Sequence, residues 1–338
     1  MNQFADAASQ ARPGAAWPGS TTVAAGVIGF PVRHSLSPLL HNTAYAAMGL
    51  DWSYMAFEVA PGSLDRAVAG AVALGLRGLS VTMPHKDGAA RLATRRSRQV
   101  RRLGAANTLM FEKGAIVAES YDGDGLLDDL RAGGFAPAGR RCGVIGAGGA
   151  ARAAVWALAE AGAREVLIVN RTATAAWRAA ALAPSVARVA RPEELRRSEL
   201  VIQATPAAMT GAGAQGDPEK SEPFGAAESI ELTAAVGDDP EAAAVVAGVD
   251  PSWFGAGQLV VDLAYAPLLP AFLAAAGGQG ATVRNGLGML VYQAARQIRL
   301  WTGAEPPLGA MWAAVGGDAS SGWQRAPSGP GSASAPGR

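Results

Sequence analysis

Apolar runs of strand length and amphipathic runs of helix length take turns along most of this chain. Val23 to Phe30 is apolar and β-prone, Trp52 to Val59 alternates with the two-residue period of a strand, and Gly78 to Val81 has the character of a buried strand. Ser37-Pro38 has the form of an N-cap and first helical position for a helix reaching Met48, and Ser63 is placed to cap a second helix to about Leu74. A basic helical stretch is predicted over about Asp87 to Leu103, and Thr108 to Phe111 with Ala115 to Ala118 has the form of a hairpin turning at Lys113-Gly114. A helix from about Gly125 to Ala132 leads into a second series. Its strands are predicted at 143–145, 166–169, 186–189, 200–203, 259–262 and 281–284, and a patterned helix runs from Gly288 to Trp301.

Strands that alternate with helices predict parallel sheets, here in two series. The expected fold class is therefore α/β with two domains, one over 22–124 and one over 125–285. Helices over 286–315 follow, and the one from Gly288 is expected to return to the first domain. The ends, 1–21 and 316–338, are rich in Ala, Gly, Ser and Pro and poor in large apolar side chains, which predicts disordered tails. About 210–257 has little periodicity and many small residues. It reads as a disordered insertion, or as a segment carrying a short helix around Glu241 to Ala247.

A length of 338 residues suits two cores rather than one. A formal net charge of +1 with 17% charged residues gives nothing for nucleic acid or an anionic membrane to bind, so a small molecule is the expected partner. The single cysteine, Cys142, excludes an internal disulfide and any thiolate cluster. His34, His41 and His85 lack zinc-type spacing, so no metal is predicted. Residues 1–20 have neither the basic start nor the apolar run of a signal peptide, and the most hydrophobic window, Leu259 to Ala276, is interrupted by Asp262, Pro267 and Pro270. A cytoplasmic protein, monomeric or homodimeric, is the expectation.

Within the second series, Arg141 to Thr172 reads as strand, glycine turn, helix, strand. Gly146, Gly148 and Ala151 fit the dinucleotide fingerprint: the first glycine allows a tight turn, the second lets backbone N–H groups approach a pyrophosphate, and the alanine allows close helix packing. Gly149 and Ala150 open the helix whose positive end would face the phosphates. The position that holds a carboxylate in NAD sites is Asn170, followed by Arg171 and Thr172. A guanidinium there can pair with a 2′-phosphate, so the cofactor expected of this Rossmann domain is NADP.

Three further segments place polar side chains after apolar strands: His34 to Pro38, Ser80 to Lys86, and Ser120 to Gly123. Lys86 stands out because the chain has three lysines, Lys86, Lys113 and Lys220, against 26 arginines. A lysine in so arginine-rich a chain suggests a cation that must exchange its proton, which arginine does not do. NADP chemistry at a carbinol or carbonyl carbon needs such an acid or base, and Asp122 could orient Lys86 while bonding a substrate hydroxyl. Ser35, Ser37, Thr82 and Asn107 are short polar side chains suited to a small polyhydroxylated acid, although Ser37 is equally suited to a helix cap.

With these segments together, residues 23–315 resemble the shikimate dehydrogenases. The likeness is carried by Ser35-x-Ser37-Pro38, Val81-Thr82-Met83-Pro84-x-Lys86, Ala106-Asn107-Thr108-Leu109, Asp122-Gly123, Gly146-Ala147-Gly148-Gly149-Ala150, Asn170-Arg171-Thr172, Asp262-Leu263-x-Tyr265-x-Pro267 and Gly286-Leu287-Gly288-Met289-Leu290-Val291-x-Gln293-Ala294-Ala295. The resemblance implies NADPH-dependent reduction of 3-dehydroshikimate to shikimate, in aromatic amino-acid and chorismate biosynthesis, with 22–124 binding substrate. It implies Lys86 and Asp122 as the catalytic pair and Ser35 and Ser37 on the substrate carboxylate. Thr82, Asn107 and Gln293 would contact ring hydroxyls and carboxylate. Tyr265 and Gly286 would lie near substrate and nicotinamide, Asn170, Arg171 and Thr172 would bind the adenosine phosphate, and Thr205 would join the cofactor site. Family members often have Asn where this chain has Ser80, Asn-Thr for Ser120-Tyr121, Asn for Gln203, and Arg for Ala175. The altered segment beside Asp122 motivates a second reading, a paralogue acting on quinate or aminoshikimate; a third, a non-catalytic NADP-binding regulator, would follow only if Lys86 or Asp122 proved dispensable.

Overall fold

A computed structural model describes residues 17–206, 245–318 and 323–324. The chain divides into two units, one of residues up to Gly125 with Leu290 to Ala319, the other of Leu126 to Met289 with the residues from Ser320.

In the first unit β1 (Val23–Gly29), β2 (Trp52–Glu58) and β3 (Gly78–Val81) alternate with α1 (Ser37–Ala47) and α2 (Leu64–Ala73). After β3 come α3 (Lys86–Leu92), β4 (Arg95–Arg96), α4 (Arg98–Leu103), β5 (Thr108–Glu112) and β6 (Ala115–Glu119). The sheet order is β2-β1-β3-β5-β6-β4. The first three strands are parallel, with Ile28 opposite Val81. β5 then runs antiparallel to β3, pairing Ser80 with Thr108, and β6 antiparallel to β5, pairing Thr108 with Glu119. The carboxyl ends of β1, β3 and β6 and the start of β5 therefore lie along one edge of the sheet. That edge is where a strand-to-loop transition can present polar side chains over a buried core. The core beneath one sheet face includes Ile28, Val68, Leu79, Val81, Val100 and Leu109.

In the second unit the strands are β7 (Arg141–Ile145), β8 (Glu165–Val169), β9 (Ala187–Val189), β10 (Leu200–Gln203), β11 (Leu259–Asp262), β12 (Thr282–Arg284) and β13 (Trp323–Gln324). Their order is β13-β12-β11-β10-β7-β8-β9, parallel except for β13. Without β13 this is the doubly wound order, whose reversal lies between β7 and β10. Alternate residues supply two cores: Val144, Leu200, Ile202 and Val261 face α6 (Gly149–Glu160) and α7 (Ala173–Ala180), while Ile145, Val201, Val260 and Val283 face α8 (Ala271–Gly278). A buried ion pair from Arg284 to Asp129 ties β12 to α5 (Asp122–Ala132), and Gly288 lacks the side chain that would collide with it. Arg284 Nε donates to Asp129 Oδ2 at 3.0 Å.

The chain passes from one unit to the other within α5 and within α9 (Leu287–Thr302), and α10 (Leu308–Ala314) packs against α1. Trp301 of α9 donates from Nε1 to the Leu109 carbonyl at 3.2 Å, and a Cβ at Gly78 would strike its indole. This close approach pins the end of α9 on β3 and β5.

Several local expectations change. The basic stretch from Asp87 to Leu103 is two helices rather than one, because Ala93 takes an extended conformation and Arg95-Arg96 pairs with β6. Ser37 is the first helical residue, with Leu36 at the cap, and Ser63 sits at its cap position without a side-chain cap bond. α5 begins at Asp122, three residues before the predicted start. Trp323-Gln324, inside the predicted disordered tail, pairs with β12. Of the proposed insertion, 210–244 lies outside the described residues. Val246, placed in a possible helix, instead makes an isolated bridge to Val249, followed by a 3₁₀ turn at Pro251–Trp253.

Candidate active site

Lys86 is the first residue of α3, reached by a short loop from the end of β3, and its carbonyl accepts from the Ala106 N–H at 2.9 Å. That backbone bond sets it beside Asn107 at the start of β5. Its Nζ donates to Asp122 Oδ2 at 2.6 Å, with only 17% of the lysine side chain and 8% of the aspartate exposed. The other Asp122 oxygen, Oδ1, accepts from Asn107 Nδ2 at 2.8 Å. The same Nδ2 lies 3.3 Å from Gln293 Oε1, and Gln293 Nε2 donates to the Leu290 carbonyl at 3.1 Å. Four side chains from 86 to 293 thus form one hydrogen-bonded cluster, because β3, β5, the end of β6 and α9 converge there.

Asp122 reaches this cluster as the first residue of a helix rather than the end of a strand. β6 stops at Glu119, and Ser120 and Tyr121 form a link in which the Tyr121 N–H donates to Asn107 Oδ1 at 2.9 Å. Ser120 and Asp122 therefore do not share a strand face. Ser120 is buried, and burial, with Glu119 nearby, pushes the Tyr121 phenol up to about 12. Thr82 follows β3 with its N–H on the Ile28 carbonyl at 2.9 Å, and Ser35 Oγ accepts from the Ser37 N–H at 3.2 Å in the loop after β1. The serine pair thus also closes a local turn. Ser37 is buried, and Ser35 and Thr82 are half-buried.

Three residues behind the cluster were not singled out for a role from sequence: Tyr54, Ser80 and Gln297. Tyr54 Oη donates to Ser80 Oγ at 2.6 Å, and Ser80 Oγ to Gln297 Oε1 at 2.7 Å. Their signal was available. Ser80 stands two residues before Thr82, and Gln297 is one helical turn after Gln293, a polar residue on a buried stripe.

In the second unit Gly146 follows β7 with φ +119, and a Cβ there would lie 3.1 Å from the Ala204 carbonyl and 3.2 Å from Thr205. Such a φ is open to glycine and costly for other residues. Around Gly148 there is open space: a Cβ would meet nothing within 4 Å. α6 begins at Gly149 with no side-chain cap and no acid in its first turn. Its first N–H groups are left for an external acceptor, the arrangement that binds phosphate. Ala150 lies in that turn. β8 ends at Val169, after which Asn170 Nδ2 donates to the Thr172 carbonyl at 2.9 Å, and Arg171 and Thr172 are exposed. This donor set, with a guanidinium and no carboxylate, fits NADP. Thr205 closes the β10 end, its N–H on Gln203 Oε1 at 2.6 Å. Opposite Gln203 on β11, Asp262 is fully buried, Oδ1 taking the Ala264 N–H at 2.9 Å; burial pushes its carboxyl up to about 7. Tyr265 is half-buried in the loop after β11, and Gly286 packs where a side chain would strike the Leu263 backbone.

Over most of its length the chain is similar to known proteins. Residues 27–109 match the shikimate dehydrogenase substrate binding domain, 134–214 the shikimate / quinate 5-dehydrogenase family, and 286–315 the shikimate 5'-dehydrogenase C-terminal domain. The chain is 41% identical over 291 residues to the shikimate dehydrogenase (NADP(+)) of Citrifermentans bemidjiense, covering 86% of this chain and 93% of that protein. With the shikimate dehydrogenase (NADP(+)) of Moorella thermoacetica it shares 39% identity over 285 residues, 84% of this chain and 90% of the relative. The crystal structure of shikimate 5-dehydrogenase from Thermus thermophilus in complex with NADP(H) and shikimate superposes with a TM-score of 0.70 at 31% identity, covering 87% and 98% of the two chains. No helix among the described residues is long and apolar enough to cross a membrane.

Proposed function

We propose that this chain, which belongs to the shikimate dehydrogenase family, reduces 3-dehydroshikimate to shikimate with NADPH, reversibly, as a step of aromatic amino-acid biosynthesis. The observation that carries the reading is the Lys86–Asp122 contact of 2.6 Å, backed by Asn107, on the substrate-binding half of a chain whose other half has an NADP-type turn.

When bound, NADPH supplies the two electrons and the hydrogen that the carbonyl carbon receives. Lys86 gives a proton to the carbonyl oxygen as it becomes a hydroxyl, and takes it back in the reverse direction. Asp122 holds the ammonium in place and accepts a hydrogen bond from a ring hydroxyl. Asn107, Thr82 and Gln293 supply the remaining polar contacts, and Ser35 and Ser37 bind the carboxylate. On the cofactor side, Gly146, Gly148, Gly149 and Ala150 cradle the diphosphate, and Asn170, Arg171 and Thr172 bind the 2′-phosphate end. Thr205 and Gly286 line the rest, and Tyr265 serves the substrate. We place the enzyme in the cytoplasm, as a monomer or homodimer; a buried Cys142, the chain's single cysteine, is consistent with that setting.

The quinate and aminoshikimate readings rest on Ser120-Tyr121, which lead directly into Asp122. Initial rates with NADP and NAD against shikimate, quinate and aminoshikimate separate the alternatives. Shikimate with NADP is expected to give the highest kcat/KM. A higher value with quinate or aminoshikimate would reassign the substrate, and no turnover of any would leave a non-catalytic NADP-binding protein.

A further inference from the structure

Behind Asn107 a file of hydrogen bonds crosses the interior of the first unit, and backbone groups dictate its direction. The Tyr121 N–H can only donate, so Asn107 must turn its oxygen toward it, at 2.9 Å, and its amide nitrogen toward Asp122. The Asn107 carbonyl can only accept, so Gln297 must direct its nitrogen there, at 3.3 Å, and to Thr108 Oγ1, at 2.9 Å. With that nitrogen donating to it, the Thr108 hydroxyl has its own proton left for Asn107 Oδ1, at 2.8 Å. At the other end of the glutamine, Oε1 takes the Ser80 proton, which leaves Ser80 to accept from Tyr54. Tyr54 is fixed in turn by stacking on His41, with ring centroids 3.9 Å apart and planes within 11°. Burial holds that imidazole down to about 3 and raises the Tyr54 phenol, so no member from Tyr54 to Asn107 carries charge at neutral pH.

We propose that Gln297 is a positioning residue for the Lys86–Asp122 pair, acting through Thr108 and Asn107, with Ser80 as its anchor. Asn107 Oδ1 holds two donors at once, and Gln297 Nε2 orients one of them, the Thr108 hydroxyl, while also donating to the Asn107 backbone carbonyl. Without Gln297 the Thr108 hydroxyl can turn away from Asn107 Oδ1 and the Asn107 carbonyl loses one donor, so Asn107 can rotate and withdraw Nδ2 from Asp122 Oδ1. The carboxylate then has a second orientation relative to Lys86, and the ammonium loses its fixed direction toward the reacting oxygen. Gln297 and Ser80, 217 residues apart, thus serve the chemistry through Asn107. The inference rests on the catalytic reading of Lys86 and Asp122; undiminished turnover in Lys86→Arg would unseat that reading, separately from any result at Gln297.

The test is a double-mutant cycle on the full-length enzyme, measuring kcat, both KM values and Tm for Gln297→Met, Asn107→Ala and the pair. Methionine keeps the length of glutamine and removes both amide groups. The expected result is a fall in kcat of about 10- to 100-fold in Gln297→Met, with KM for NADPH within about twofold of the parent, because a displaced catalytic group costs rate rather than cofactor binding. In the Asn107→Ala background the same change should cost little more, since the residue through which it acts is gone. Losses that multiply across the cycle, or a kcat within about twofold of the parent in Gln297→Met, would overturn the proposal. If Gln297→Met fails to fold, Ser80→Ala in the same cycle decides: a smaller fall in kcat that vanishes with Asn107→Ala supports the proposal, and an unchanged kcat or multiplicative losses refute it.

Discussion

Lys86 and Asp122 stand 36 residues apart in the chain and meet at 2.6 Å, the lysine opening one helix and the aspartate opening another. Neither element is part of the sheet. Each follows a strand that ends on the same side of the sheet, so the pair is set by strand order, and Asn107 holds the aspartate.

Replacing Lys86 by Arg keeps a cation beside Asp122 but removes the ability to exchange a proton at working pH. Turnover should fall by about 10²–10⁴, with NADPH affinity little changed. Steady-state kinetics with tryptophan-fluorescence titration of NADPH checks this. Near-normal turnover would reduce Lys86 to an electrostatic anchor.

Arg171→Ala should raise the KM for NADPH far more than that for the ketone substrate, since a charge-assisted contact worth about 1.5–3 kcal/mol is lost. Selectivity for NADPH over NADH should shrink accordingly. Equal changes in both KM values would show that Arg171 does not read the 2′-phosphate.

Gly148→Ala separates ligand approach from packing. A Cβ there meets nothing within 4 Å in the protein, so Tm should stay within about 1 °C of the parent, while NADPH binding weakens by about 1–3 kcal/mol as the methyl occupies the diphosphate's place. Unchanged binding would mean the diphosphate lies elsewhere.

Asp262 should make stability fall as pH rises. Burial raises its folded pKa from 3.8 to about 7, so between those values the folded state binds the proton more tightly than the unfolded chain does. Its contribution is then complete below about pH 4 and lost as pH climbs through about 7, a swing on the order of 4 kcal/mol. In Asp262→Asn, which cannot titrate, the stability difference from the parent should move in the variant's favour between pH 4 and 7. Parallel profiles of parent and variant in urea unfolding would refute the assignment.

Local pattern reached much of this molecule directly. Strand and helix periods are properties of neighbouring residues, so β3, β10 and β11 were legible to the residue, and the Gly146 turn with Asn170-Arg171-Thr172 could be read as an NADP site because its parts lie within about 30 residues on one βαβ unit. The kind of chemistry was also legible, since lysine is rare in this chain and Lys86 follows a buried strand. Pairings between distant segments were not. Arg95-Arg96 forms a strand because β6 offers it a free edge, Trp323-Gln324 because β12 does, and Asp122 starts a helix while its neighbour Tyr121 is bonded to Asn107. The file from Tyr54 to Asp122 belongs wholly to tertiary structure. A buried serine or glutamine must find its partner wherever the fold provides one, and no local period encodes that Ser80 would find it in Gln297.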